Sequence, residues 1–127
     1  MSDAASHALT AHDLQAGYGP MPVLHGLSLH VARGEIVGVL GANGMGKSTL
    51  IKTLAGVLPA RAGRIALDGA DVTGRPAHVR ARAGLGYVQQ GRGILPLLSV
   101  RENLAMGWTG LSGEDEPAAL QRVLAVF

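Results

Sequence analysis

The chain has 127 residues, one domain's worth at most, and at 47% hydrophobic and 16% charged it is a globular rather than a disordered sequence. A net charge of +2 gives no strong pull on a polyanion, and the loose group Arg75, Arg80 and Arg82 is expected on a solvated face, so nucleic-acid binding is not expected. The absence of cysteine excludes disulfides and thiolate metal sites, and Met1 to Ser6 lack the basic start and apolar segment of a secretion signal. The histidines are spread without ligand spacing, and the longest uncharged stretch, Ile36 to Gly46, is glycine-broken and too short to span a bilayer. A cytosolic protein is expected, unless a membrane partner holds it.

Residues 1–8 are expected as a loose start and 9–127 as the folded part. Alternation from Leu9 to Leu14 predicts a strand, followed by the turn signal Gly17-Tyr18-Gly19-Pro20. Tyr18 has two readings, an exposed aromatic that stacks on a planar base or a half-buried loop tyrosine. Leu27-Ser28-Leu29-His30-Val31 alternates as a half-buried strand does, and Ala32-Arg33-Gly34-Glu35 turns it into Ile36-Val37-Gly38-Val39-Leu40. That short apolar run predicts a strand buried on both faces.

Next comes Gly41-Ala42-Asn43-Gly44-Met45-Gly46-Lys47-Ser48-Thr49, which fits G-x-x-x-x-G-K-[ST] with Gly41, Gly46, Lys47 and Ser48 at the fixed positions. With this composition the pattern arises by chance in roughly four of every thousand shuffled chains. The expected strand before it, and the helical spacing of Leu50, Ile51, Leu54, Val57 and Leu58 after it, lower that further. A triphosphate can be held by a loop whose backbone N–H groups all point inward, a curl that Gly41, Gly44 and Gly46 tolerate. The helix beginning near Lys47 adds unpaired donors and about half a positive charge. Lys47 is expected on the β- and γ-phosphates and the Ser48 hydroxyl on Mg²⁺.

Beyond that helix, Arg64 to Leu67 reads as a strand, Asp68-Gly69 as a turn, and Pro76 to about Arg82 as a short helix ended by Gly84. Leu85-Gly86-Tyr87-Val88 is expected as a further strand, leading into Gln89-Gln90-Gly91-Arg92-Gly93. A polar pair at the carboxyl end of a strand is where open α/β sheets place ligand-contacting side chains, and a surface loop is the other reading. Ser99-Val100-Arg101-Glu102 is a capping box that opens a helix running through Met106. After a polar loop from Gly107 to Glu116, Pro117 opens a last helix with Leu120, Val123, Leu124 and Phe127 on one face, and the chain stops inside that pattern.

From about Leu9 to Met106 the order of these motifs resembles the front part of an ABC transporter ATPase subunit. The resemblance implies an α/β P-loop NTPase fold, with an antiparallel β subdomain and a core strand–loop–helix, and with the carboxyl half absent. It implies that Gly41, Asn43, Gly44, Gly46, Lys47, Ser48 and Thr49 hold ATP, that Tyr18 stacks on adenine, and that Ser48 and Gln90 meet Mg²⁺. Met45 stands where a small residue is usual, and Gln89 where proline is common. The stretches Ala16-Gly17-Tyr18-Gly19, Val23-Leu24-His25-Gly26 and Gln90-Gly91-Arg92 look most like importers of branched-chain amino acids or urea.

Implied partners are membrane permease subunits and a second ATPase subunit, with the protein peripheral on the cytoplasmic face of the cell membrane. The family's L-S-G-G-Q signature, Walker B strand and switch histidine are not found in these residues, and Leu111-Ser112-Gly113-Glu114 reads as a loop. The expected function is therefore ATP binding as part of a transport ATPase, with no useful hydrolysis by these residues alone. A non-catalytic nucleotide-binding module and an ABC-type ATPase outside transport are the alternatives.

Overall fold

The computed structural model describes residues 6–42, 44, 46–91, 93–108 and 113–127. The chain forms two compact units, Met1–Leu85 and Gly86–Phe127.

In the first unit, β1 (His7–Tyr18) and β2 (Met21–Ala32) make a long hairpin closed at Gly19 and Pro20. Then come α1 (Lys47–Ala55), β3 (Ala62–Leu67), β4 (Ala70–Asp71) and α2 (Ala77–Arg82). The sheet is antiparallel throughout, in the order β2-β1-β3-β4. β1 is paired along both edges between Leu9 and Gln15, and pairing with β2 alone carries it past the alternating stretch Leu9 to Leu14 as far as Tyr18. At Asp13 its register shifts around a positive φ of 46°, and the Asp13 N–H leaves the ladder to bond Ser28 Oγ at 2.9 Å.

Helical spacing decides what α1 buries. Leu50 and Leu54 pack with Leu14, Leu24, Ile65, Leu67 and Val72, while Ile51 and Val57 on other faces stay exposed. Each fully buried Leu or Ile in this cluster stabilises the unit by about 1.5–3 kcal/mol. Gly56 ends the helix at a left-handed φ of 83°, and its N–H bonds the Thr53 carbonyl at 3.2 Å.

The solvated face expected for Arg80 is not what the fold makes of it, for Arg80 is 1% exposed. Its Nη1 donates to the Thr53 and Leu54 carbonyls at 2.8 Å each, its Nε to Arg75 O and its Nη2 to Thr73 O, both at 3.0 Å. The cation thus sits against the negative end of α1, where the last carbonyls have no intrahelical partner. Gly56 leaves the room, since a Cβ there would lie 3.0 Å from Arg80 Nε. Burial pushes the guanidinium's pKa down.

Two expected strands are also corrected. Residues 36–40 have no ladder partner among the described residues, and Ile36 and Leu40 are 98% and 95% exposed. Leu85 to Val88 is likewise unpaired, with Val88 exposed. An apolar run becomes a strand only when a neighbour takes its N–H and C=O groups, and β1 to β4 are already paired among themselves.

The second unit carries α3 (Val100–Ala105) and α4 (Glu116–Leu124). Ser99 and Glu102 form the expected capping box, with Ser99 N donating to Glu102 Oε2 at 2.7 Å and Glu102 N to Ser99 Oγ at 3.1 Å. The Ser99 backbone N–H, and after it the Ser99 hydroxyl, hold the Glu102 carboxyl below its usual range. Helix α4 starts at Glu116 rather than at Pro117, capped by Asp115, whose side chain accepts from the Ala118 N–H at 2.8 Å. Its apolar face is present but not buried, with Leu124 and Phe127 exposed. No helix of the described residues is long and apolar enough to cross a membrane.

Candidate functional site

Gly46 is the pivot of the site. It precedes α1 at a left-handed φ of 92°, and a Cβ there would meet Val23 Cγ1 and Leu24 Cδ2 at 3.3 Å each. No side chain caps the start of α1 and no acidic residue lies in its first turn, so its leading N–H groups and dipole are left for an external anion. The Lys47 ammonium donates to the Gly41 carbonyl, which folds the side chain back along its own loop. Ser48 is exposed, whereas Thr49 is buried and its Oγ1 donates to the Tyr18 hydroxyl at 3.4 Å.

These residues line one open cleft of about 270 Å³ formed by Tyr18, Val23, Gly44, Gly46, Lys47, Ser48 and Thr49. The volume lies near the lower end for small-ligand pockets, roughly 300–1,000 Å³. It suits the polyphosphate end of a nucleotide, with the remainder at the open rim beside Tyr18. The donor set fits such a ligand, being one cation, hydroxyls and backbone N–H groups, with no carboxylate in the lining. One hydroxyl from Ser48 also fits Mg²⁺, which keeps several waters and takes its other ligands from phosphate oxygens.

The structure therefore brings Tyr18, Gly44, Gly46, Lys47, Ser48 and Thr49 together, with Gly41 joined through its carbonyl. Asn43 and Met45 lie outside the described residues. Gln90 is an exposed turn residue of the second unit, described with that unit alone. Sequence reasoning missed three supports. Val23 gives the cleft an apolar wall, Arg61 donates to the Gly19 carbonyl and fastens the hairpin turn next to Tyr18, and Lys52 lies 5.9 Å over the Tyr18 ring. Lys52 carried a weak signal, its place one turn past the loop; Arg61 carried none, because its partner is 42 residues away.

A glycine loop feeding an uncapped helix on an α/β scaffold defines a P-loop nucleotide-binding protein. A family model described as ABC transporter matches residues 24–126. The chain belongs to the ABC transporter ATP-binding family, whose members bind ATP and Mg²⁺.

Among curated relatives it is 40% identical over 110 residues to the high-affinity branched-chain amino acid transport ATP-binding protein BraG of Pseudomonas aeruginosa, covering 87% of this chain and 47% of that protein. It is 45% identical over 96 residues to the lipopolysaccharide export system ATP-binding protein LptB of Escherichia coli, covering 76% of this chain and 40% of that one. A solved nucleotide-free ATP-binding cassette from an ABC transporter superposes with a TM-score of 0.72 at 29% identity, over 91% of this chain and 46% of the other. The chain thus spans less than half the length of these relatives.

Proposed function

We propose that the chain binds MgATP at this cleft, as the nucleotide-binding part of an ABC importer's ATPase subunit. One observation carries the reading: Tyr18 from the β1–β2 hairpin and Gly44, Gly46, Lys47, Ser48 and Thr49 from the loop and α1 line the same cleft. Lys47 leaves the Gly41 carbonyl for the β- and γ-phosphates, the exchange of a neutral acceptor for an anionic one. The amides at the start of α1, with Gly41 and Asn43 from the loop, hold the phosphate oxygens. Tyr18 takes the base. Ser48 would hold Mg²⁺, which would supply charge neutralisation for the triphosphate, and the family resemblance alone assigns Gln90 to the same ion.

Hydrolysis and coupling to membrane permease subunits, with a second ATPase subunit at the cytoplasmic face, belong to a complete cassette. These 127 residues bind without useful turnover, because the signature, Walker B and switch-histidine groups are not among them. Calorimetry with MgATP tests the reading directly. Lys47→Ala is expected to weaken binding at least tenfold, by the loss of a charge-assisted contact of about 1.5–3 kcal/mol. Equal affinity in the variant places the nucleotide elsewhere.

For cargo we take branched-chain amino acids or urea, on the pattern around Tyr18, Val23 and Gln90 and on the name of the BraG relative. A second reading, an export ATPase, is favoured by the identity to LptB. Uptake of labelled leucine and urea in cells lacking the gene separates them. Loss of either uptake supports import, and intact uptake of both with a leaky outer envelope supports export.

A further inference from the structure

Lys52 stands three residues after Thr49 on α1, and that spacing puts the two on one helix face. Both reach Tyr18. Thr49 Oγ1 meets the phenol oxygen at 3.4 Å, and Lys52 Nζ lies 5.9 Å from the ring centroid, within reach of the ring quadrupole. Lys52 is not part of the cleft lining, so its ammonium meets Tyr18 from outside the space where phosphates would lie. Arg61 holds the adjoining Gly19 carbonyl. A lysine in the last turn of a helix ordinarily answers the helix dipole, a role that needs no aromatic and is blind to the base of a nucleotide.

We infer, on the nucleotide reading of the same cleft, that Lys52 is a positioning residue for base recognition. Its ammonium holds the Tyr18 ring at the cleft rim before the ligand arrives, so less side-chain freedom is lost when a purine stacks on it. Lys52 therefore adds affinity for the base of a nucleoside triphosphate and none for its phosphates.

The test compares MgATP with magnesium tripolyphosphate, which has the charge but no base, by calorimetry on the full 127-residue chain. Lys52→Met is expected to weaken ATP about two- to fivefold and to leave tripolyphosphate unchanged. Lys52→Arg restores ATP binding, because a guanidinium keeps the contact with the ring. In a Tyr18→Ala background, Lys52→Met has no further effect. Lys52→Gln gives the same comparison should the Met variant alter the melting temperature. Equal losses for ATP and tripolyphosphate, a loss that persists without Tyr18, or an unchanged ATP affinity each overturn the role of Lys52 while leaving the nucleotide site standing. A wild-type chain that binds neither ligand overturns the site and the role together.

Discussion

Arg80→Met is expected to be among the most damaging single changes in the first unit. Methionine keeps an apolar stem but leaves the Leu54 carbonyl without its buried donor and the Thr53 carbonyl with only the Gly56 N–H at 3.2 Å. A buried carbonyl left without a donor costs about 1–3 kcal/mol and a lost hydrogen bond to a charged group about 1.5–3 kcal/mol, so the two together cost about 2.5–6 kcal/mol. The bonds to Arg75 and Thr73 are only part-buried, so water replaces the guanidinium there at little cost. Against this stands relief from burying a cation, the desolvation that already draws the Arg80 pKa down. A net loss of about 3 kcal/mol is a large fraction of what 85 residues hold, roughly 4–13 kcal/mol. At about 4–8 °C per kcal/mol the melting temperature falls by about 12–24 °C. Arg80→Lys keeps the charge but not the span across Thr53, Leu54, Arg75 and Thr73, and is expected between the two. Circular dichroism melts at 222 nm, with urea titrations on the same samples, measure the effect. A Met variant melting within about 4 °C of the parent, or roughly 1 kcal/mol, would refute the view that this guanidinium secures the end of α1.

Three further outcomes are expected. Gly46→Ala places a Cβ in a left-handed conformation and against Val23 and Leu24, costing about 1–3 kcal/mol and weakening MgATP binding, read by melting and calorimetry; an unchanged melt shows the pivot tolerates a side chain. Because Glu102 has a lowered folded-state pKa, its contribution to α3 is present above the unfolded glutamate value and is lost as pH falls through the folded one. Amide protection factors within α3, corrected for the intrinsic pH dependence of exchange, should therefore fall on acidification, and Glu102→Gln should flatten that dependence; a profile identical in both chains removes the capping box as its cause. Lysines at Ile36 and Leu40 together should reduce self-association in light scattering and leave the melt within about 0.5 kcal/mol, since both side chains are almost fully exposed. A lower melt would mean that this run is packed.

Much of the candidate site was legible before any fold was known. The loop pattern, the start of α1, the Asp68-Gly69 turn and the Ser99 capping box each depend on residues within a few positions of one another, so local chemistry was enough to find them. The same holds for the first strands, whose alternation marks a buried face, although their lengths were set by the pairing of β1 with β2. Asp115 was missed as a cap because Pro117 offered the louder signal. The role of Gln90 stays a proposal taken from motif order.

What the sequence determined by itself is therefore the short-range part: the glycine-loop pattern before α1, the caps and turns, and membership of a P-loop class. Three matters were decided only by the tertiary structure. Tyr18 joins Gly44, Gly46, Lys47, Ser48 and Thr49 because the β1–β2 hairpin packs beside α1, a contact between residues about thirty apart in sequence. Arg80 is buried rather than solvated because the end of α1 and the missing Cβ of Gly56 make a place for it. Residues 36–40 look like a buried strand yet lie unpaired, because a strand is made by the neighbour that accepts its hydrogen bonds, and no pattern within five residues specifies that neighbour.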